Sequence, residues 1–195
     1  MNKLTSFTAL ALTAQAGPMS GSCPKDYKPM ENFDKERYMG DWYEQVRDKY
    51  TPFEIGAGCQ VASYALNDDG SIAVKNYSHQ IWRGWDSGEG TAIVADTGDA
   101  SLIVDFDEMP NIDDVVNYTV LDTDYDTYTV VYSCDNFMPF AYWDFLWILS
   151  REKKLDSDTL RQVIGTIRER LPDYDFFNNV QRTRTGWTCR YDQRE

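Results

Sequence analysis

Basic residues are scarce in this chain. Lys and Arg together number 19 against 32 Asp and Glu, with a single histidine, for a formal charge of −13. A nucleic-acid partner needs a basic stripe to neutralise its phosphates, and the absence of one excludes that class. Long apolar runs are missing too. No stretch approaches the ~20 residues of a membrane-spanning helix. There is no C-x-x-C pattern, and the lone His79 leaves no set of zinc ligands. The acidic run Asp105, Asp107, Glu108, Asp113 and Asp114 lacks the spacing of a calcium loop and reads as a solvated loop. Without repeats, low-complexity blocks or linkers, the 195 residues read as one domain, long enough to enclose a core or a cavity.

What the chain does carry begins with a leader. Residues 1–16 combine Lys3, a modest apolar stretch from Leu4 to Leu12 and an A-x-A site at Ala14-Gln15-Ala16, the pattern of a secretion signal. Met19-Ser20-Gly21-Ser22 lacks the leucine expected before a bacterial lipoprotein cysteine. A secreted, extracellular or otherwise oxidising location follows, with residues 23–195 as the domain. Four cysteines behind a leader argue for two disulfides, and three connectivities are open by arithmetic. In the cytosol such cysteines would more often serve metal or redox chemistry.

β-branched and aromatic runs alternate with turn signals every 8–12 residues, the pattern of a sandwich or barrel. Strands are expected over Gly40–Tyr50, Gly58–Leu66, Ser71–Trp82, Glu89–Asp96, Ser101–Phe106, Asn117–Asp122, Asp126–Cys134 and Asp144–Arg151, after a short helical turn that ends at Met39. Asn67-Asp68-Asp69-Gly70 is a hairpin turn of the type that needs positive φ. Only one segment has helical periodicity: Leu160, Val163, Ile164, Ile167 and Leu171 follow N-capping residues at 156–159, and Pro172 stops the run.

Three short motifs stand in a telling order: Gly40-Asp41-Trp42 opening the first strand, Thr123-Asp124-Tyr125 between two later ones, and Arg151 closing the last. With them the chain resembles the lipocalins, in the branch of apolipoprotein D, retinol-binding protein and the bilin-binding lipocalins. The resemblance implies an all-β fold: an eight-stranded antiparallel up-and-down barrel with one C-terminal α-helix packed outside. Gly40, Trp42, Thr123, Asp124, Tyr125 and Arg151 would then build the barrel floor. The indole is its plug, the guanidinium lies on its face, and the polar turn bonds its own backbone. The same relatives imply the pairing Cys23–Cys134 and Cys59–Cys189.

If Cys59 and Cys134 point outward to meet those partners, strand alternation puts Ala62, Tyr64 and Leu66 inside, with Thr129, Val131 and Ser133. Tyr128, Val130 and Tyr132 then face out and need the helix as a cover. Arg151 reaching the floor places Phe145, Trp147 and Leu149 on the inner side. For the remaining strands the relatives imply inward Ile72, Val74, Val104, Phe106, Tyr118 and Val120. Such a wall suits a small hydrophobic ligand such as a lipid, retinoid, carotenoid or bilin, carried without any required cofactor. The competing readings are a lipocalin-type enzyme acting on a lipid or carotenoid, and an interaction module with a filled barrel. The enzyme is disfavoured because every cysteine is assigned to a bridge and no inward histidine or carboxylate pair is expected. The loop Tyr50–Ile55, with Phe53, is expected at the open end as a lid or as a contact for a protein partner. Two glycosylation sequons begin at Asn76 and Asn117; the parity turns Asn117 outward and Asn76 inward.

Overall fold

Eight strands in the middle of the chain pair in sequence order and close on themselves. The computed structural model describes residues 19–108, 110–111 and 115–194; the leader at 1–16 lies outside them, as do Asp113 and Asp114. The elements are β1 (Met19–Ser20), α1 (Lys35–Tyr38), β2 (Gly40–Asp48), β3 (Ala57–Leu66), β4 (Ile72–Gln80), β5 (Gly84–Val94), β6 (Ser101–Phe106), β7 (Tyr118–Thr123), β8 (Tyr128–Met138), β9 (Ala141–Ser150), α2 (Ser157–Arg170), α3 (Phe176–Asn179) and β10 (Val180–Arg182). From β2 to β9 each strand is antiparallel to the next, and β9 returns to β2 through pairs such as Tyr43↔Ser150 and Arg47↔Trp147. The result is the expected up-and-down barrel, which leaves its eight strands without a free sheet edge.

Three strands run past their expected limits: β5 starts earlier, at Gly84, β8 continues to Met138, and β9 starts earlier, at Ala141. The β4–β5 ladder continues to Gln80↔Gly84, turning through Ile81–Arg83 with Gly84 at φ +84°. The β8–β9 ladder extends to Met138↔Ala141. Along both extensions most side chains are exposed or only half-buried, so hydrophobic alternation fades while backbone pairing persists. The short β1 and β10 also have no periodic signal, because they exist only through pairing with β9 and β2.

Helix α2 begins where Asp156 accepts hydrogen bonds from the N–H groups of Asp158 and Thr159, both at 2.9 Å. Its buried face, Leu160, Val163 and Ile167, packs with Tyr128, Val130, Tyr132, Leu146 and Ile148 on the outside of the barrel. The bridges are Cys23–Cys134 and Cys59–Cys189, closing separations of 111 and 130 residues. The second secures the C-terminal segment over an outer cluster of Val61, Tyr77 and Tyr191.

The floor is one connected unit. Trp42 is fully buried, with its indole N–H donating to the Tyr38 carbonyl at 2.9 Å. The Arg151 guanidinium sits 3.7 Å from the Trp42 ring centroid and donates to the carbonyls of Tyr125 (2.9 Å), Asp41 (3.0 Å) and Arg37 (2.9 Å). One side chain thus ties α1, the start of β2 and the β7–β8 turn together. Gly40 lies at φ +93°, where a Cβ would come within 3.3 Å of Arg151 Nη1. In the turn, Asp124 Oδ1 accepts from the N–H groups of Asp126, Thr127 and Tyr128 at 2.7–3.1 Å. Burial works against ionisation there, but these donors hold its carboxyl below the ordinary carboxylate value. Tyr125 adopts φ +69° and accepts a hydrogen bond on its hydroxyl from the Asp34 N–H at 2.9 Å.

Between the barrel and the C-terminal segment lies a polar pair. The Tyr132 hydroxyl donates to Asp144 (3.1 Å), and the Tyr174 hydroxyl donates to Asp48 (2.7 Å). Burial, with the nearby Asp48 charge adding to it, pushes Asp144 up to about 6. The folded state therefore holds this proton more tightly than the unfolded chain. The associated stability is complete below the ordinary Asp pKa and is lost as pH rises through about 6.

Two expectations follow. Trp42→Ala should lower the unfolding free energy by about 3–5 kcal/mol in denaturant titrations, the range for a buried aromatic; a loss well below 1 kcal/mol would show that the indole does not carry the floor. Asp144→Asn keeps an acceptor for Tyr132 and removes the buried charge. It should be more stable than the parent at pH 8 and equal to it at pH 4. A difference independent of pH would exclude Asp144 as the titrating group.

Candidate ligand-binding site

Above the floor the barrel is open space. A cavity of about 490 Å³ is bounded by residues from all eight barrel strands, by Tyr38 at the end of α1 and by Phe53 in the β2–β3 loop. Its walls include Ala62, Tyr64, Ile72, Val74, Val104, Phe106, Tyr118, Val131, Phe145, Trp147 and Leu149. Val120 is different. It is inside the barrel and fully buried, but it belongs to the solid layer with Trp42 and Tyr38 and does not reach the cavity wall. Alternation separates inside from outside without giving height above the floor. Leu66 also departs from the parity: it is 42% exposed at the hairpin end of β3.

At the base, hydroxyls form a chain: Tyr64 to Tyr118 at 3.0 Å, Tyr118 to Tyr38 at 2.8 Å, and Tyr38 to Thr129 at 3.2 Å. The Tyr38 ring stacks on Tyr64 with centroids 5.6 Å apart. Burial keeps all three phenols protonated, raising Tyr64 to about 12 and Tyr38 and Tyr118 further. Higher up, Asn76 Oδ1 is buried with no hydrogen-bond partner among the described residues, and Asn76 lines the cavity. Asn117 does not project outward as alternation suggests. It precedes β7, and its side-chain amide pairs with the N–H and C=O of Val104, both at 2.8 Å.

The mouth holds a carboxylate pair that the sequence reading did not expect. Glu44 and Glu54 both line the cavity and share Arg47, at 3.3 Å and 3.8 Å. A bulge between Glu44 and Val46 explains this arrangement. It lets Trp42 and Glu44 face in while Val46 packs outside against the α2 cluster. Thr183 and Gln60 also donate to Glu44, and the Trp147 indole donates to Glu54 at 3.3 Å. Burial, followed by the field of Glu54, holds the Glu44 carboxyl well above the ordinary value. Burial likewise raises Glu54, against the pull of Arg47.

Arg47 has a mechanical role as well. Its Nη2 donates to the carbonyls of Glu54 and Ala57, both at 2.9 Å, so it ties the β2–β3 loop to the barrel. That loop carries Phe53 edge-on to Phe145, 5.9 Å between centroids, while Ile55 remains 74% exposed. Phe53 borders the cavity while staying 55% exposed, and Ile55 points away from it. Sequence reasoning missed Tyr38, Glu44 and Glu54. Tyr38 lies in a helical turn outside any strand pattern, and the two glutamates depend on the bulge and on Arg47.

Residues 33–182 match the model of the lipocalin-like domain. Among curated proteins, apolipoprotein D of Cavia porcellus is 37% identical over 142 residues, covering 72% of this chain and 71% of that protein. The Lazarillo protein of Schistocerca americana is 28% identical over 184 residues, or 89% and 85%. Among solved structures, insecticyanin from the tobacco hornworm Manduca sexta superposes with a TM-score of 0.73 at 24% identity, covering 88% of this chain and 90% of that one. With the floor motifs in place, the barrel closed and these matches over most of its length, the chain belongs to the lipocalin family.

Proposed function

We propose that this protein is a secreted carrier that holds one small hydrophobic molecule in the barrel cup. The observation that carries the reading is the cavity of about 490 Å³, closed at one end and walled by aliphatic and aromatic side chains. That volume and lining suit a compact apolar ligand fixed by shape and a few hydrogen bonds. Two disulfides and the leader-like residues 1–16 favour an oxidising, extracellular location. Lipids, retinoids, carotenoids and bilins are the candidate cargo classes, and Phe53 serves as part of a lid over them.

The carrier is preferred to an enzyme because the mouth carboxylates spend their hydrogen bonds on Arg47, Thr183, Gln60 and Trp147, and no free cysteine is present among the described residues. A filled interaction module is disfavoured by the same open volume.

Trp147 faces the cup beside Phe145, with ring centroids 5.9 Å apart. A ligand seated there should quench or shift its fluorescence. Trp147→Ala should weaken binding of a hydrophobic ligand by about 1–3 kcal/mol without unfolding the barrel. Val131→Arg should weaken it further by placing an unpaired charge in the apolar wall. Parental affinity in both variants, across retinoids, fatty acids and bilins, would show that the cup is not where ligands bind.

A further inference from the structure

The charged side chains that line the cup are all acidic. Between Arg83 and Arg151, the span that builds β5 to β9, the chain has 14 Asp and Glu residues and no Lys, Arg or His. No basic side chain lines the cavity among the described residues, whereas Glu44, Glu54 and Glu108 do. Glu89 also borders it, but its carboxylate is taken by Lys75 at 2.7 Å.

Two cations paired with these carboxylates, Lys75 and Arg47, are committed elsewhere. Lys75 lies over the ring of Tyr77, which belongs to the outer cluster. Arg47, beside Glu44 and Glu54, has a side chain only 6% exposed, with its donors directed to Glu44 and to the carbonyls of Glu54 and Ala57. It has no free edge to clamp a ligand carboxylate, which the fork geometry of guanidinium would otherwise suit.

The remaining polar features point the same way. The buried Asn76 Oδ1 accepts no hydrogen bond among the described residues, so a donor from water or from a ligand would satisfy it. A carboxylate head has no donor to offer that acceptor and would find no basic side chain in the described lining to pair with. A hydroxyl or ammonium would donate to it.

Building on the carrier reading, we infer that the cup selects apolar ligands with an uncharged or cationic hydrogen-bond-donating head, and discriminates against carboxylates. Among the candidate cargoes, alcohol-type retinoids and hydroxylated carotenoids fit this lining. Fatty acids and bilins, which carry ionised carboxyl groups, do not.

The test is competition at pH 8 on the intact, disulfide-bonded protein. N-phenyl-1-naphthylamine, an uncharged fluorescent probe, is loaded and then displaced by dodecanol, dodecylamine or dodecanoate, each kept below its micelle concentration. Dodecanol and dodecylamine should displace the probe at concentrations at least tenfold lower than dodecanoate. If the probe binds and dodecanoate competes as well as dodecanol, the carrier reading stands and the head-group selection is wrong. If neither the probe nor any competitor binds, the carrier reading itself falls, and this inference with it.

Discussion

The Arg151–Trp42 contact is the constraint on which the rest of the molecule depends. A barrel of eight strands has room inside for side chains or for a ligand, and what decides between them is how the bottom is closed. Here a buried indole fills the base, and one guanidinium on its face binds three backbone carbonyls from separate parts of the chain. Because the closure is concentrated in that layer, with Tyr38, Val120 and Tyr125 joining it, the walls above need not meet. The cavity is a consequence of the plug.

The outer surface follows a similar economy. One face of the barrel is covered by α2 and the other by the C-terminal segment, each linked to a strand by packing or by a disulfide. Several buried polar groups are paired: Tyr132 with Asp144, Tyr174 with Asp48, Arg47 with Glu44 and Glu54. The buried Tyr191 hydroxyl under the C-terminal segment, by contrast, has no partner among the described residues. The Arg47 group fastens the loop that carries Phe53 to the rim, so that loop is anchored by the same residues that neutralise each other. The charged side chains lining the cup are all acidic, and no basic side chain joins them in the lining among the described residues.

Much of this was legible in the sequence because the floor uses side chains that few other environments need in that order. Trp42, Thr123-Asp124-Tyr125 and Arg151 announce the fold, and strand alternation then separates Val131 and Trp147 from Tyr132 and Ile148. Alternation fails where a second variable enters. It cannot tell the packed height of Val120 from the open height of Val131. It does not apply to Asn117, which lies just before its strand and bonds across to Val104. It does not foresee the bulge after Glu44, since a bulge changes pairing without needing a distinctive residue. The charge pairing at the mouth is tertiary, joining β2, the following loop and β9.

Native mass spectrometry of the protein, taken from its natural source without organic solvent, tests the central claim most directly. A protein whose plugged floor leaves a usable cup should show, beside the polypeptide, a species heavier by a few hundred daltons that is lost after solvent extraction while the barrel stays folded. A protein that carries only its own mass, and takes up no retinoid, carotenoid, bilin or lipid when these are supplied, would contradict the account.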